Sequence, residues 1–424
     1  MPAFFNPRIN WREPVTETFG FTTAIFATAS GREVREARRQ WPKWSYRLPM
    51  LLKREEFRQL MDLMVVRRRE VLWVPAPTVY VTTTSFTAAS SDFIALPAAQ
   101  RPSWLAVGSM LSILDGLYRV RAVSATGFNV DTLIVGGPGT DNVPLAASNG
   151  SLLTTQIGDV ILAAEGRRAF PAGTRVALVI EARVGNVSEV DFRTTRAGET
   201  EIEVTAVHSQ PVPYNLADYP AGAMHDGLPL LGLEANWRDD VSLSVDQERE
   251  VFSSETGPEA FYWQRNYVPR YWSHTWTGFT RAAVAQAIAF YVHKRGRLRT
   301  FYAAGPVSEI EVMNPVTATA TNLVLRGVGY PFASEIALSP QFLRFETRAG
   351  TFTSRVTSAA ESLDRTTLQM QSPFPYAVAV EDFRSVRTLR QSRFAEDNLE
   401  VRWYRSDAAE MDVKTKTLDY VASA

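Results

Sequence analysis

Four histidines, several close acidic pairs and a glycine-rich run are residues of this chain whose types could do chemistry. Histidines at close spacing would hold a metal or relay a proton, but His208, His225, His274 and His293 fall into no ligand spacing. His293 is expected near a helix C-terminus, where a positive side chain is favoured, so its role is structural. Paired carboxylates can flank a bond as general acid and base. Glu55 and Glu56 are adjacent on an expected helix, so their side chains splay about 100° apart. Asp239-Asp240 could bind calcium or cap a turn, yet the matching residues of an earlier stretch are Glu13-Pro14, which speaks against a shared metal site. Glu189-x-Asp191 sits in an expected strand with both carboxylates on one face, and pairing with arginine is its expected role. Gly136–Gly139 lacks the Lys-Ser/Thr and the helix of a phosphate-binding loop, and is expected to be a turn. No Ser-His-Asp arrangement can be argued from spacing. The expectation is a non-enzyme with no catalytic residue, no cofactor and no metal.

The totals narrow the class. With 424 residues the chain exceeds one core. Its 45 basic residues balance 45 acidic ones, which argues against nucleic acid or an anionic membrane as main partner. Only five of the basic residues are lysine (43, 53, 294, 414, 416) and the other 40 are arginine, whose planar fork suits partly buried ion pairs and subunit contacts. A GC-rich coding sequence accounts for the same bias equally well. The absence of cysteine excludes disulfides, thiolate metal sites and cysteine nucleophiles. Met1–Arg8 has neither a basic start nor a long apolar core, so no secretory signal is expected. No apolar run approaches the roughly 20 residues that span a bilayer.

These residues are set in elements that recur. Asn10-Trp11-Arg12-Glu13 returns as Asn236-Trp237-Arg238-Asp239, Gly31-x-Glu33 as Gly257-x-Glu259, and Arg39 as Arg265. Pro42-Lys43-Trp44 matches Pro269-Arg270-Tyr271 with one residue added, and Glu189-x-Asp191 matches Glu410-x-Asp412. Residues 10–50 alternate as extended chain. A helix is expected over 52–68, with Phe57, Leu60, Met61, Met64 and Val65 on its apolar stripe and Arg67–Arg69 at its end. A short strand, Val71–Val74, should stop at Pro75 and Pro77. The second stretch follows suit, with a helix over 280–294 that buries Val284, Ala287, Ile288 and Tyr291, and a strand from Leu298 to Tyr302. Short alternating runs after each helix predict small β-barrels or sandwiches, while 209–233 has no periodicity and is expected to be a linker. Trp41, Trp44, Trp263 and Trp272 are expected in core or interface, with stacking on sugars as the rival use.

The hairpin with Trp, Gly-x-Glu, Arg and Pro-Lys/Arg, the single helix with its arginine-rich end, the aromatic strand and the following barrel resemble phage distal tail proteins, the rings that join tail tube to baseplate in long-tailed phages. The resemblance covers about 10–77 and 236–306, and the barrels loosely. It implies an α+β, mainly β fold with two repeated modules, each a tail-tube-like hairpin or sandwich with one flanking helix, then a small barrel. The implied domains are 1–80 and 81–208, a linker at 209–233, then 234–306 and 307–424. It also implies a virion location and partners in the tail tube, baseplate hub and tail fibres, with self-assembly as a trimer of pseudo-sixfold symmetry or a hexamer. Neither a membrane nor sequence-specific nucleic acid is an implied partner. Expected subunit contacts are Trp11, Arg12, Trp44, Arg68, Trp237, Arg238, Tyr271 and Arg295. A pair of carbohydrate-binding modules is the alternative.

Overall fold

A computed structural model describes residues 3–27, 33–65, 69–85, 87, 92–114, 116–133, 170–194, 197–207, 213–214, 224–225, 227–245, 249–252, 260–263, 269–308, 310–330 and 341–418. The protein is mostly β, and twenty-one strands join in one hydrogen-bonded sheet. The first half begins with strands β1 (Ala3–Phe4), β2 (Val15–Gly20), β3 (Thr23–Ala27), β4 (Glu33–Ala37) and β5 (Lys43–Lys53). Helix α1 (Arg54–Val65) leads to β6 (Leu72–Thr82), then to the short strands β7 (Phe93–Ala95), β8 (Met110–Ile113), β9 (Gly116–Val123) and β10 (Gly127–Leu133). Strands β11 (Arg175–Val187), β12 (Asp191–Thr194) and β13 (Ala197–Ala206) close this half.

The second half runs β14 (Met224–His225), β15 (Leu228–Pro229), β16 (Ser242–Val245), β17 (Arg249–Phe252), β18 (Ala260–Trp263) and β19 (Arg270–Gly278) before helix α2 (Arg281–Lys294) and β20 (Phe301–Ala304). Strands β21 (Asn322–Arg326), β22 (Gln341–Thr347), β23 (Thr351–Ser362) and β24 (Arg365–Met370) follow. The end is β25 (Phe383–Phe394), β26 (Asn398–Trp403) and β27 (Ala409–Thr417).

Strand alternation explains why these elements form and which face they bury. On β5, Trp44, Tyr46, Leu48, Met50 and Leu52 point inward at every second position. Ile202 and Val204 do so on β13, and Met411 and Val413 on β27. The inward residues of both halves meet in one core, which runs from Val15 and Trp44 through Leu60, Val284 and Phe301 to Trp403 and Val413. Two larger cores and two small clusters of three buried residues lie outside it, one of the larger around Ile94, Phe128 and Val176. The other is built around Leu323, Phe345 and Leu368. Strands β11 and β25 each run from an outer core into the shared one.

The register of pairing is the same in both halves. β5 lies between β2 and β13. β13 is followed by β11, and β11 by β6. In the second half the order is β16, β19, β27, β25, β20. Thr16 faces Arg47 and Ser242 faces Ser273, each a step of 226 residues, as from Asn10 to Asn236. The Asn10 amide donates to Pro49 O at 2.8 Å, and the Asn236 amide to Thr275 O at 2.7 Å, again 226 residues on. Hairpin β3–β4 pairs Thr23 with Ala37, and β17–β18 pairs Arg249 with Trp263. Even the parallel contact of β1 returns: Phe5 N donates to Trp73 O, and Leu231 N to Tyr302 O.

Several sequence expectations are corrected by this register. The step of 226 holds through Leu52 and Gly278, so the added residue lies between β19 and α2 rather than before the strand. Trp44 therefore corresponds to Arg270 and Tyr46 to Trp272, because a one-residue slip would turn every side chain to the other face. Glu410-x-Asp412 corresponds to Glu199-x-Glu201 on β13, since Pro49 faces Glu201 and Thr275 faces Asp412. Glu189-x-Asp191 belongs to the neighbouring arm of the hairpin, which is why a linear match could land on it. β6 continues through both prolines: its register against β11 breaks between Ala177 and Val179, leaving Ala76–Val79, with Pro77, a bulged stretch that needs no regular ladder, and Pro75 stands opposite Val179 where the pairing resumes. The strand expected from Leu298 begins at Phe301, after a left-handed helix cap at Arg295 and Gly296. The expected linker is partly built in: Leu228–Pro229 pairs with Met224–His225, and Leu231 is buried against the shared core. Gly136–Gly139 and His208 lie outside the described residues, as do Arg67, Arg68, Gly257, Glu259 and Arg265.

Candidate functional site: the seam between the halves

The two halves meet along β2 and β26, which pair antiparallel from Val15↔Trp403 to Gly20↔Asn398. Alternation on β2 turns Val15, Glu17 and Phe19 inward, and all three are fully buried. Glu17 is thus a carboxylate at the centre of the seam. Trp44 Nε1 and Tyr46 Oη donate to its Oε1, both at 2.9 Å. Trp403 Nε1 donates to Oε2 at 2.9 Å, and the Tyr214 hydroxyl reaches both oxygens at 3.2 and 3.3 Å. Tyr46 also exchanges a hydrogen bond with Thr78 Oγ1 at 2.9 Å. Burial raises the Glu17 carboxyl above its ordinary value, against the pull of these donors. One side chain therefore ties together β2, β5, β26 and the segment that connects the halves.

Hairpin β3–β4 extends the seam over the second half. Glu33 accepts two bonds from Arg393, at 2.9 and 3.0 Å, and one from Lys416 Nζ at 2.8 Å. All three side chains are at least nine-tenths buried. Burial raises the Glu33 carboxyl, but the bonds and charges of Arg393 and Lys416 outweigh it and bring it down to about 2. Thr23 binds Asp397 through its amide at 2.8 Å and its hydroxyl at 2.9 Å. Arg297 holds the same carboxylate through its amide at 3.0 Å and its guanidinium at 3.2 Å. Burial pushes Asp397 up, yet these four bonds leave it lowered.

Helix α2 completes the contact. Thr280 caps its start by accepting from the Ala283 amide at 3.2 Å. Its residues Ala287–Val292 are buried on every side, including faces the sequence pattern left exposed. Phe21 packs on Tyr291, with ring centroids 6.0 Å apart. Arg281 and Arg175 both lie on the Tyr80 ring, at 3.7 and 3.8 Å, and Arg281 also donates to Thr78 O. Burial, with Arg281 alongside, lowers Arg175 to about 10 despite the nearby Tyr80.

No protein-family model matches this chain, and no curated protein matches it. The arrangement must therefore be read from its own chemistry. Four neutral donors on one buried carboxylate, and cations closed on two others, hold elements of the two halves together. Among the described residues no group of histidine and acidic side chains could hold a metal ion. His274 is buried, its Nε2 3.2 Å from Leu233 O, and burial lowers its pKa. His293 lies in the last turn of α2, and burial, then Lys294, Arg299 and Arg295, lower its pKa. Beside the seam, a cleft of about 300 Å³ is lined by Asn6, Ile9, Trp11, Pro75, Leu114 and Arg175, and it offers no acid–base pair.

The expected contact residues divide. Asn10 and Asn236 close the same turn twice, each accepting through Oδ1 from the amide two residues on, Arg12 at 3.3 Å and Arg238 at 3.2 Å. Arg12, Trp237 and Arg238 are exposed, whereas Trp11 is half-buried against the shared core. Trp44 is buried inside the chain and unavailable to another subunit, because its indole faces Glu17. Tyr271 is half-buried beneath Lys416 Nζ, 5.4 Å from its ring centroid. Arg295 is the left-handed cap of α2, and Arg68 lies outside the described residues. Glu410 and Asp412 bind Tyr404 at 2.8 Å and Arg402 at 3.0 Å, as the arginine-pairing expectation requires for Asp412. Sequence reasoning missed Glu17, Glu33 and Asp397. For Glu17 the available signal was a lone Glu among Val15, Phe19 and their alternating neighbours; Glu33 stood in the Gly31-x-Glu33 repeat and Asp397 beside Glu396, but neither pattern named its partners.

Proposed function

We propose that this chain is a structural ring protein at the distal end of a long-tailed phage tail, built from two copies of one module. The observation that carries the reading is the recurrence of turn, hairpin and strand register at a step of 226 residues, joined by a strand pairing between the copies. Duplication gives one subunit two near-equivalent sets of contacts, which suits a partner of higher rotational symmetry. Three chains would supply six modules around a tail tube, and the cores outside the shared one, read as small barrels, would carry neighbouring baseplate and fibre proteins. The glycan-binding alternative needs open aromatic faces: Trp44 offers none because it is stacked on Phe19 and enclosed, whereas Trp272 is half-buried.

Solution mass and negative-stain images of the same sample test this reading. A species of three chain masses with a central hole and a sixfold outline is the expected result. A compact monomer that never assembles, even with a tail-tube protein present, would sink it.

A further inference from the structure

The seam has two faces, and each has a counterpart that the chain does not cover. The β2 face corresponds to β16, by the step that carries Thr16 to Ser242. The β26 face corresponds to β12, since Arg402 faces Glu410 as Asp191 faces Glu199. Among the described residues, β16 pairs with β19 and β12 with β13, and neither has a strand on its outer edge.

Exposure follows the same logic. Ile288 and Val292 of α2 are buried, whereas their counterparts on α1, Met61 and Val65, are 43% and 65% exposed. Trp403 is fully buried, and its counterpart Phe192 is 60% exposed beside Phe57 of α1. Arg393 is buried in its ion pair, and its counterpart Arg183 is exposed. At the other end, Glu17 and Phe19 are fully buried, while their counterparts Leu243 and Val245 are 48% and 49% exposed. Apolar side chains are thus left open at both ends, at the positions the seam buries. Exposed edges of this kind are templates for strand addition.

We propose that a second copy of this chain docks head to tail, its β16 edge pairing antiparallel with the Glu189–Arg193 edge of the first. Transferring the β2–β26 register places Leu243 opposite Val190, Val241 opposite Phe192, Ser242 opposite Asp191 and Ser244 opposite Glu189. The buried carboxylate of the internal seam gives way to an apolar pair, because Glu17 and Val401 become Leu243 and Val190. Such a contact is heterologous, so it closes into a ring when its rotation permits. The inference rests on the duplicated-module reading and adds which surfaces meet and in what register.

The chain has no cysteine, so engineered cross-links report without background. Directly opposed strand residues lie within disulfide reach, and those shifted by two do not. Ser242→Cys with Asp191→Cys should convert most chains into covalent multimers on mild oxidation. Ser242→Cys with Arg193→Cys should give only a trace. Thr16→Cys with Arg402→Cys, the internal pair, should oxidise within one chain without a change in mass and shows that the chemistry works. Assembly by mass without the in-register cross-link would overturn this inference and leave the ring reading standing. A chain that stays monomeric at every concentration and forms no intermolecular cross-link would overturn both.

Discussion

Glu17 and Glu33 are both buried carboxylates, yet they respond to pH in opposite directions. Glu17 is held above its ordinary value by burial, so the folded protein keeps a proton that the unfolded chain gives up. Its contribution to stability falls as pH rises from the ordinary carboxylate range through the raised folded pKa. Glu33 has its folded pKa lowered from 4.5 to about 2, so its contribution is complete above about pH 4.5 and is lost as pH falls toward 2. Full loss amounts to roughly 3 kcal/mol. Urea midpoints should fall steeply from pH 5 down to pH 2 in the native protein and less steeply in Glu33→Gln; equal slopes would remove Glu33 from the acid response. Replacing Glu17 by alanine strips the acceptor from two indoles and two tyrosine hydroxyls, at roughly 1–3 kcal/mol for each donor left buried without a partner. Glu17→Ala should therefore be insoluble or lose the shared-core transition in calorimetry. A variant that melts like the native protein would show that water replaces the carboxylate. Arg295 makes a gentler case: its φ of 53° strains a non-glycine residue, so Arg295→Gly should raise stability by about 0.5–1 kcal/mol without disturbing assembly. Assembly lost on that change would return Arg295 to the interface.

The elements show what a sequence can carry and what it cannot. Both helices were legible, because local periodicity and capping chemistry fix a helix within a few turns. The strands of the outer cores were legible as short alternating runs for the same reason. The motif Asn-Trp-Arg-Glu/Asp was legible as a repeat, and the structure gives its cause: asparagine closes a turn that sets the entry to β2 and β16. Register was not legible, because a single inserted residue after Gly278 and two similar hairpin arms give linear matches that only hydrogen bonding can separate. Proline was misleading at positions 75 and 77: a bulge removes the need for the missing amide at Pro77, and Pro75 sits beside that break, opposite Val179. The seam itself was illegible, since Glu17 and Trp403 meet across 386 positions of sequence. Hairpin β3–β4 acts as an arm of that seam, and proline tests it as an element. Ile25→Pro should cut the ladder of the hairpin and lower the thermal midpoint of the shared core, while leaving the outer cores folded. Near-ultraviolet circular dichroism and hydrogen exchange in Val401–Trp403 report the difference; unchanged protection there would show the arm to be dispensable.

At the scale of the whole molecule, the shared core sets the order in which parts depend on one another. Val15, Trp44 and Ile202 of the first half bury the same core as Val284, Phe301 and Trp403 of the second. A half alone would expose β2 or β26 as an open edge, with a charged Glu17 or an apolar Trp403 facing water. The outer cores have no such dependence, because their residues belong to one half each. Residues 1–223 and 224–424, made as separate polypeptides in one cell, should therefore co-purify as a one-to-one pair, and each made alone should aggregate. The pair should also hold the connecting segment in place, since Tyr214 reaches Glu17 from the first fragment's tail. Two independently soluble and monodisperse halves would mean that the seam is a docking contact rather than a folding core.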